Sequence, residues 1–480
     1  MQQQQQQQGE CDETTKKMEP QKKREDPASK AAAAAVGNEP SSNNTRNAFA
    51  HMMQQSKKMN QSTAQQFHLN ADYTLSWSDL TVGGFTPNNN NETVTCWSTT
   101  IQLRNKDDDK KIQLTLSSSI PEQQPSSSPP VARRRLVQRH SRLSVPVLKS
   151  ILQKLIRRRR PLPATRVAME LMDKALGEVL RRMPIIILED STLHPDFPLL
   201  CWLMAAESKN YKIPLELLSR VLQIVYDVSS CPWTDYHYLD TDDDNTEDDF
   251  SVVDDDDVRP EARMMLKCMD MRASYGGMKC DMKMLQRYRT IWGKRFRTTT
   301  TTTTTGTIIP PDVSKRLGGE SAPTIKWMDV PDFIHCKTRY QGIQHITSMM
   351  KEPLIRLQLQ DLCVEGVDFH CSDVLDQLLK DDAFVSTSFD RLIGEKVLET
   401  TGCSSKDQLM VILKRCMWKY SSGVNFRQPL LLGNNASTKD DDDSLKSFWQ
   451  DLVAKRVKDF MTRYVTSRLA TSSSSVVTRR

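Results

Sequence analysis

Apolar positions along this chain follow two different periods, separated by stretches that follow neither. Between Tyr73 and Leu116 the period is two: Tyr73-Thr-Leu-Ser-Trp77, Val94-Thr-Cys-Trp97 continuing to Ile101-Gln-Leu103, and Ile112-Gln-Leu-Thr-Leu116. Alternation of this kind predicts strands, here a small antiparallel β element over 68–118, with Asn88–Asn91 and Asp107–Lys111 as hairpin loops. From Pro146 the period changes to three and four. Val147, Leu148, Ile151, Leu152, Leu155 and Ile156 mark an amphipathic helix that runs out in Arg157–Arg160 and Pro161. After Pro163 the spacing resumes with Val167, Ala168, Leu171, Met172, Ala175, Leu176, Val179 and Leu180, so two consecutive helices should pack as a hairpin. The run Pro184–Leu188 is apolar without a period and fits either element type. Leu199–Ala206 and Leu215–Tyr226 read as two further helices, completing a bundle over 145–232.

Beyond the bundle the pattern predicts helices over 259–296, interrupted at Gly276-Gly277, and a carboxyl-terminal helical region over 323–470. In its last helix Leu445, Phe448, Trp449, Leu452, Val453, Val457, Phe460, Met461 and Tyr464 form one stripe. That stripe suits a core and would equally suit a partner. The intervening segments are biased: polyglutamine and alanine runs in 1–66, a Ser/Pro and basic linker over 119–144, an acidic insert at 240–257, and a threonine-rich stretch over 298–322. We read 1–66 and 240–257 as disordered and the threonine-rich stretch as a loop, since these tracts sit between periodic blocks rather than inside them. The expected fold class is therefore mainly α: a helical bundle core with a small amino-terminal β element and long disordered inserts.

Composition agrees with this division. Only 38% of the 480 residues are apolar, against ~45–50% in globular chains, so part of the length cannot repay its ordering entropy. Eleven cysteines, scattered singly from Cys11 to Cys416, argue for free thiols rather than a disulfide framework. No stretch approaches the ~20 apolar residues that cross a bilayer, and Met1 followed by Gln2–Gln8 has no hydrophobic signal region. The expected location is nucleus or cytoplasm, with no membrane contact.

A net charge of +6 conceals two opposed blocks. Arg133 to Arg160 holds eleven basic residues and no acidic one; Asp240 to Asp257 holds eleven acidic residues and no basic one. Lys149, Lys154, Arg157, Arg158, Arg159 and Arg160, joined by Arg181 and Arg182 from the second helix, make a candidate surface for nucleic-acid phosphates. The same run suits a nuclear localisation signal, and it also fits a solvated helix end. The acidic block is a solvated loop or a competitor that folds back on these cations. A different chemistry is conceivable at Glu189, Asp190, His194 and Asp196, where carboxylates follow a buried apolar run as in metal-dependent phosphoryl transfer. Against it, no Gly-x-x-x-x-Gly-Lys-Ser/Thr phosphate cradle occurs in the chain. The dipeptides His335-Cys336 and His370-Cys371 lack zinc-ligand spacing, so no resident metal or cofactor is expected.

Ser150-Ile-Leu-Gln-Lys-Leu-Ile-Arg-Arg158, Ala168-Met-Glu-Leu171 and Leu180-Arg-Arg-Met-Pro-Ile-Ile-Ile-Leu-Glu-Asp190 together are similar to the carboxyl-terminal helical collar of the replication-associated recombination ATPases, the MgsA family. The resemblance covers residues 150–190, and the Walker A loop and the rest of the ATPase module have no counterpart. It implies a helical oligomerisation or DNA-transaction module without ATPase activity, and it implies that Ile185–Leu188 lie in a helix. The leading expectation is a non-enzymatic intracellular protein that binds DNA, RNA or a replication or repair partner through the basic hairpin. A metal-dependent enzyme and a protein-interaction scaffold are the alternatives. The leading expectation requires the basic side chains to be displayed outward.

Overall fold

The computed structural model describes residues 64–80, 94–104, 111–122, 141–235, 259–296, 327–351, 356–366, 373–394, 405–423, 426–430 and 442–469. Among the described residues twelve α-helices dominate, with a four-stranded sheet against them and a short two-stranded pairing. The polyglutamine tract, the acidic insert, the threonine tract, Arg133–His140 and His370-Cys371 lie outside the described residues.

The sheet is mixed rather than antiparallel. Strands β1 (Ala64–Leu69), β2 (Leu75–Leu80), β3 (Trp97–Arg104) and β4 (Lys111–Ser118) are ordered β2-β1-β4-β3, with β1 and β4 parallel. The β3–β4 hairpin forms as the alternation predicts, pairing Arg104 with Lys111. The Asn88–Asn91 stretch lies outside the described residues, and β2 and β3, the strands on either side of it, occupy opposite edges of the sheet rather than pairing. Instead β2 turns back on β1, a strand begun inside the segment read as disordered, through Asn70–Thr74 with Tyr73 at φ 66°. Phe67, Leu69, Ile101, Leu103, Leu114 and Leu116 are buried. The Trp202 indole N–H donates to the Phe67 carbonyl at 3.1 Å, tying the sheet to the helices.

Helix α1 (Val145–Arg157) starts at Pro146, a residue suited to the first turn, and buries the predicted stripe. Helix α2 (Pro161–Asp190) takes in both the second predicted helix and the apolar run, so Ile185–Leu188 are helical. It is broken at Ala175, whose φ of −160° and ψ of 72° are not helical. The pairings on either side show where the chain goes. Ser141 and the carbonyl of Leu143 meet Glu170 and Lys174 in the first half, whereas Lys149, Gln153 and Arg157 meet Glu178, Arg182 and Asp190 in the second. The first half thus runs back along α1 and the second half returns beside it. That second half is buried on nearly every face, from Val179 to Leu188, which explains why its sequence has no amphipathic period.

Around it pack α3 (Phe197–Glu207), α4 (Leu215–Ser230), α5 (Pro260–Ser274) and α6 (Lys279–Phe296). The carboxyl-terminal region supplies α7 (Val330–Lys351), α8 (Asp373–Leu378), α9 (Asp382–Gly394), α10 (Lys406–Cys416), α11 (Asp442–Phe448) and α12 (Ala454–Leu469). A two-residue parallel pairing of β5 (Trp233–Thr234) with β6 (Gln428–Pro429) joins the ends of the fold. In the 445–464 stripe Leu445, Phe448, Trp449, Val453, Val457 and Met461 are buried, so it serves as core and not as a partner surface. Among the described residues no helix is long and apolar enough to cross a membrane, and all the cysteines are free thiols.

Helix α7 crosses α4 at Gly342, where a Cβ would stand 2.2 Å from Gln223 Nε2 and 2.8 Å from Tyr226 Cδ1. Gln223 cannot swing away freely, since its amide donates to Asp227 at 2.9 Å and to the Arg339 carbonyl at 3.3 Å. Gly342→Ala should therefore destabilise by roughly 1–3 kcal/mol, the cost of overpacking, read as a lower midpoint in urea unfolding; an unchanged midpoint would mean that the two helices do not meet there.

Candidate functional site

The residues predicted to face a polyanion mostly face the protein. Arg157 is 3% exposed. Its Nε donates to Asp190 Oδ1 and its Nη2 to Glu189 Oε1 at 3.1 Å, while the guanidinium lies over the Trp418 ring. Lys154 is fully buried, its Cδ 3.3 Å from where a Cβ on Gly366 would stand. Arg158 donates to the Ser421 carbonyl at 2.8 Å and stacks on Phe426; Arg160 donates to Glu365 at 3.1 Å and to the Gln360 carbonyl at 2.8 Å. These four correct the outward-facing expectation. The end of α1 is wrapped by carboxyl-terminal chain that the sequence reading kept apart from it; that chain supplies the acceptors of Arg158 and Arg160, while those of Arg157 stand at the end of α2. Arg159, at φ 55° in the turn between α1 and α2, is exposed.

Glu189 and Asp190 are the other half of this network. Gln153 Nε2 donates to Asp190 Oδ2 at 2.7 Å and to Glu189 Oε2 at 3.1 Å, and Arg182 Nη2 reaches Gln153 Oε1 at 2.8 Å. Burial pushes the Asp190 carboxyl up to about 6; the Arg157 charge opposes that rise and Glu189 adds to it. The other two residues of the proposed metal-dependent centre lie in separate contacts. His194 Nδ1 accepts the Asp196 backbone N–H at 3.0 Å, its Nε2 is 3.7 Å from Asp227 Oδ2, and its ring packs on His335. Asp196 holds Arg220 through two bonds of 3.1 and 2.6 Å. Burial keeps the His335 imidazole well below its ordinary pKa, the neutral form a helix core favours. Among the described residues no group of three or more His, Cys, Asp or Glu side chains is placed to hold a metal ion. The four candidate catalytic residues therefore do not converge on one reacting centre.

What remains for solvent is a cleft of about 440 Å³ where α1, the second half of α2 and the α5–α6 turn meet. Lys149, Arg181, Arg182 and Arg272 line it, with Glu178 and Asp281. Lys149 holds Glu178 at 2.6 Å, keeping that carboxyl below its usual range, and Arg182 is 3.5 Å from Asp281. Arg181 is exposed at the rim. Arg272 is only 5% exposed, and its three bonds go to backbone carbonyls: Arg181 twice, at 3.3 and 3.0 Å, and Gly276 at 2.8 Å. Burial and the neighbouring guanidiniums of Arg182 and Arg181 lower its pKa despite the offset from Asp281.

Sequence reasoning placed Lys149, Arg181 and Arg182 in the site but missed Arg272, a single arginine between Met271 and Ala273 on α5. It also missed Arg427, buried and donating to the Val228 carbonyl at 2.8 Å, the Cys231 carbonyl and Ser191 Oγ at 2.9 Å, and the Ile156 carbonyl. No motif marks either residue; only the three-dimensional meeting of segments does.

Two outcomes follow from the network. Arg157→Ala leaves a carboxylate pair buried without its cation, which costs about 3–5 kcal/mol, measured by urea unfolding at neutral pH. A raised folded-state pKa means the Asp190 contribution is complete below its ordinary 3.8 and is lost as pH rises through about 6. In Asp190→Asn the stability–pH curve should accordingly be flatter between those values, and an unaltered slope would show that another group titrates there.

Comparison with known protein families, with curated proteins and with solved structures finds no match to this chain.

Proposed function

We propose that the chain is a non-enzymatic helical binding protein, that the α1–α2 pair is primarily its structural spine, and that it contacts nucleic acid at the cation-lined cleft. The observation that carries this reading is the charge around the cleft: four cationic side chains against two carboxylates, with Arg181 exposed at the rim. Such a surplus draws phosphates by counterion release, giving affinity that falls with salt. The similarity of 150–190 to a helical collar of replication-associated ATPases supports the same class of partner, a DNA-transaction complex. The acid-free run from Arg133 into α1 supports nuclear delivery. A metal-dependent enzyme is not proposed, because Glu189 and Asp190 are engaged by Arg157 and Gln153.

Fluorescence anisotropy of the full chain with labelled single- and double-stranded DNA across salt tests this. Binding should be present at low salt. In a Lys149→Glu, Arg181→Glu double variant affinity should drop by tenfold or more, and the slope of log affinity against log salt should shrink by about 1.4–1.8 if both cations touch phosphates. Arg159→Ala, at the other end of α1, should bind as the parent does. Absence of binding at low salt removes the reading.

A further inference from the structure

We propose that the cleft is a receptor for a phosphate monoester, the terminal phosphate of a single strand or a free mononucleotide, with Arg272 as the group that grips it. This rests on the nucleic-acid reading above and sharpens it from any polyanion to a chain end.

Size and charge both point this way. A volume of about 440 Å³ falls in the range of small-molecule sites and suits one nucleotide-sized group. Duplex DNA receives protein elements into its grooves and can offer a concavity only its outer phosphates, whereas an unpaired end can enter. Four cations less two carboxylates leave a surplus of two positive charges around the cavity. A monoester near neutral pH carries roughly −1.5 to −2, while each backbone diester carries a single charge.

The inner wall is built for close approach. Arg272 is buried, yet no carboxylate bonds it, and its three bonds to carbonyls leave one N–H on each Nη without an acceptor among the described residues. Arginine N–H groups left without an acceptor are the donors that charge-assisted pairing with phosphate uses. Beside Arg272 the chain turns through Gly276 at φ 93° and Gly277 at φ 142°, conformations that side-chain-bearing residues resist. A Cβ on Gly277 would stand 3.8 Å from both Nη atoms, so the glycine leaves that end of the guanidinium uncovered. Helix α6 begins just after this turn, at Lys279, and adds the positive end of its dipole to the same wall. Asp281 occupies part of that potential, and its 3.5 Å contact with Arg182 is the one an entering dianion has to loosen.

The test compares short single strands that differ only at the end opposite the label: 5′-phosphate, 3′-phosphate or hydroxyl. A phosphate end should bind roughly tenfold tighter than the hydroxyl, the worth of a charge-assisted pair of hydrogen bonds. Inorganic phosphate and adenosine monophosphate should compete in the millimolar range or below. Competition by the mononucleotide at the same concentration as the phosphorylated strand identifies a free metabolite as the source; far weaker competition identifies the strand end. Arg272→Gln should abolish the end preference, and because this variant also loses bonds to Arg181 and Gly276, Arg181→Gln serves as a rim variant that should halve or better the discrimination while staying folded by circular dichroism. Equal binding of phosphate and hydroxyl ends overturns the inference and leaves the polyanion reading standing. No binding of any strand overturns both.

Discussion

The Arg157 guanidinium stands between the Asp190 and Glu189 carboxylates and under the Trp418 ring, joining α1, the end of α2 and the carboxyl-terminal region at one buried point. A charge this deep is tolerable only when its partners are fixed, because desolvation of each ion costs several kcal/mol and Coulomb attraction recovers it only in good geometry. The fixing is done by neighbours. Gln153 bridges the two carboxylates, Arg182 bridges Gln153 and Glu189, and Lys154 fills the adjacent space beside Cys363 and Gly366. Such a cluster rewards one register of α1 against α2, since moving by a single turn separates every ion from its counterion.

The same constraint divides the basic run into two populations. Arg157 at the end of α1 is committed to the carboxylates that close α2, and Arg158 and Arg160 just beyond it to carbonyls and a carboxylate of the 360–365 and 421 positions. Basic side chains near the start of α1 and in the middle of α2 are left at the α5–α6 turn. A count of lysines and arginines along the chain cannot distinguish these groups. The electrostatic character of the surface is set by what remains after the interior has taken its share, and Lys149, Arg181 and Arg182 of that remainder gather where α1, α2 and the α5–α6 turn leave a gap.

Where apolar residues recur at helical spacing among polar ones, the sequence was legible. Helix α1, the Gly276-Gly277 break between α5 and α6, and the stripe through Leu445 to Met461 all stand as their spacing predicts. The second half of α2 was ambiguous because it is buried on nearly all sides, and period is lost when there is no wet face. The break at Ala175 has no local mark beyond Gly177 two residues on, whose Cβ would approach Glu207 Oε2 to 2.8 Å. The parallel pairing of β1 with β4 joins segments about fifty residues apart, and alternation says which face is buried but not which strand is the neighbour. As for the cleft, three of its cations were visible as charged residues of the right helices, but Arg272 gains meaning only from the carbonyls around it.

Arg427 reaches a carbonyl in the last turn of α1, carbonyls at the end of α4 and the hydroxyl that follows α2, so one guanidinium joins three helix ends. Helix carboxyl ends carry partial negative charge, and that one guanidinium complements it at each of them. Arg427 lies 271 residues beyond Ile156 and 199 beyond Val228, so those helix ends are synthesised well before their shared cation. The carboxyl-terminal region thus acts as a latch on the bundle that precedes it, and a bundle deprived of Arg427 is left with an open polar seam.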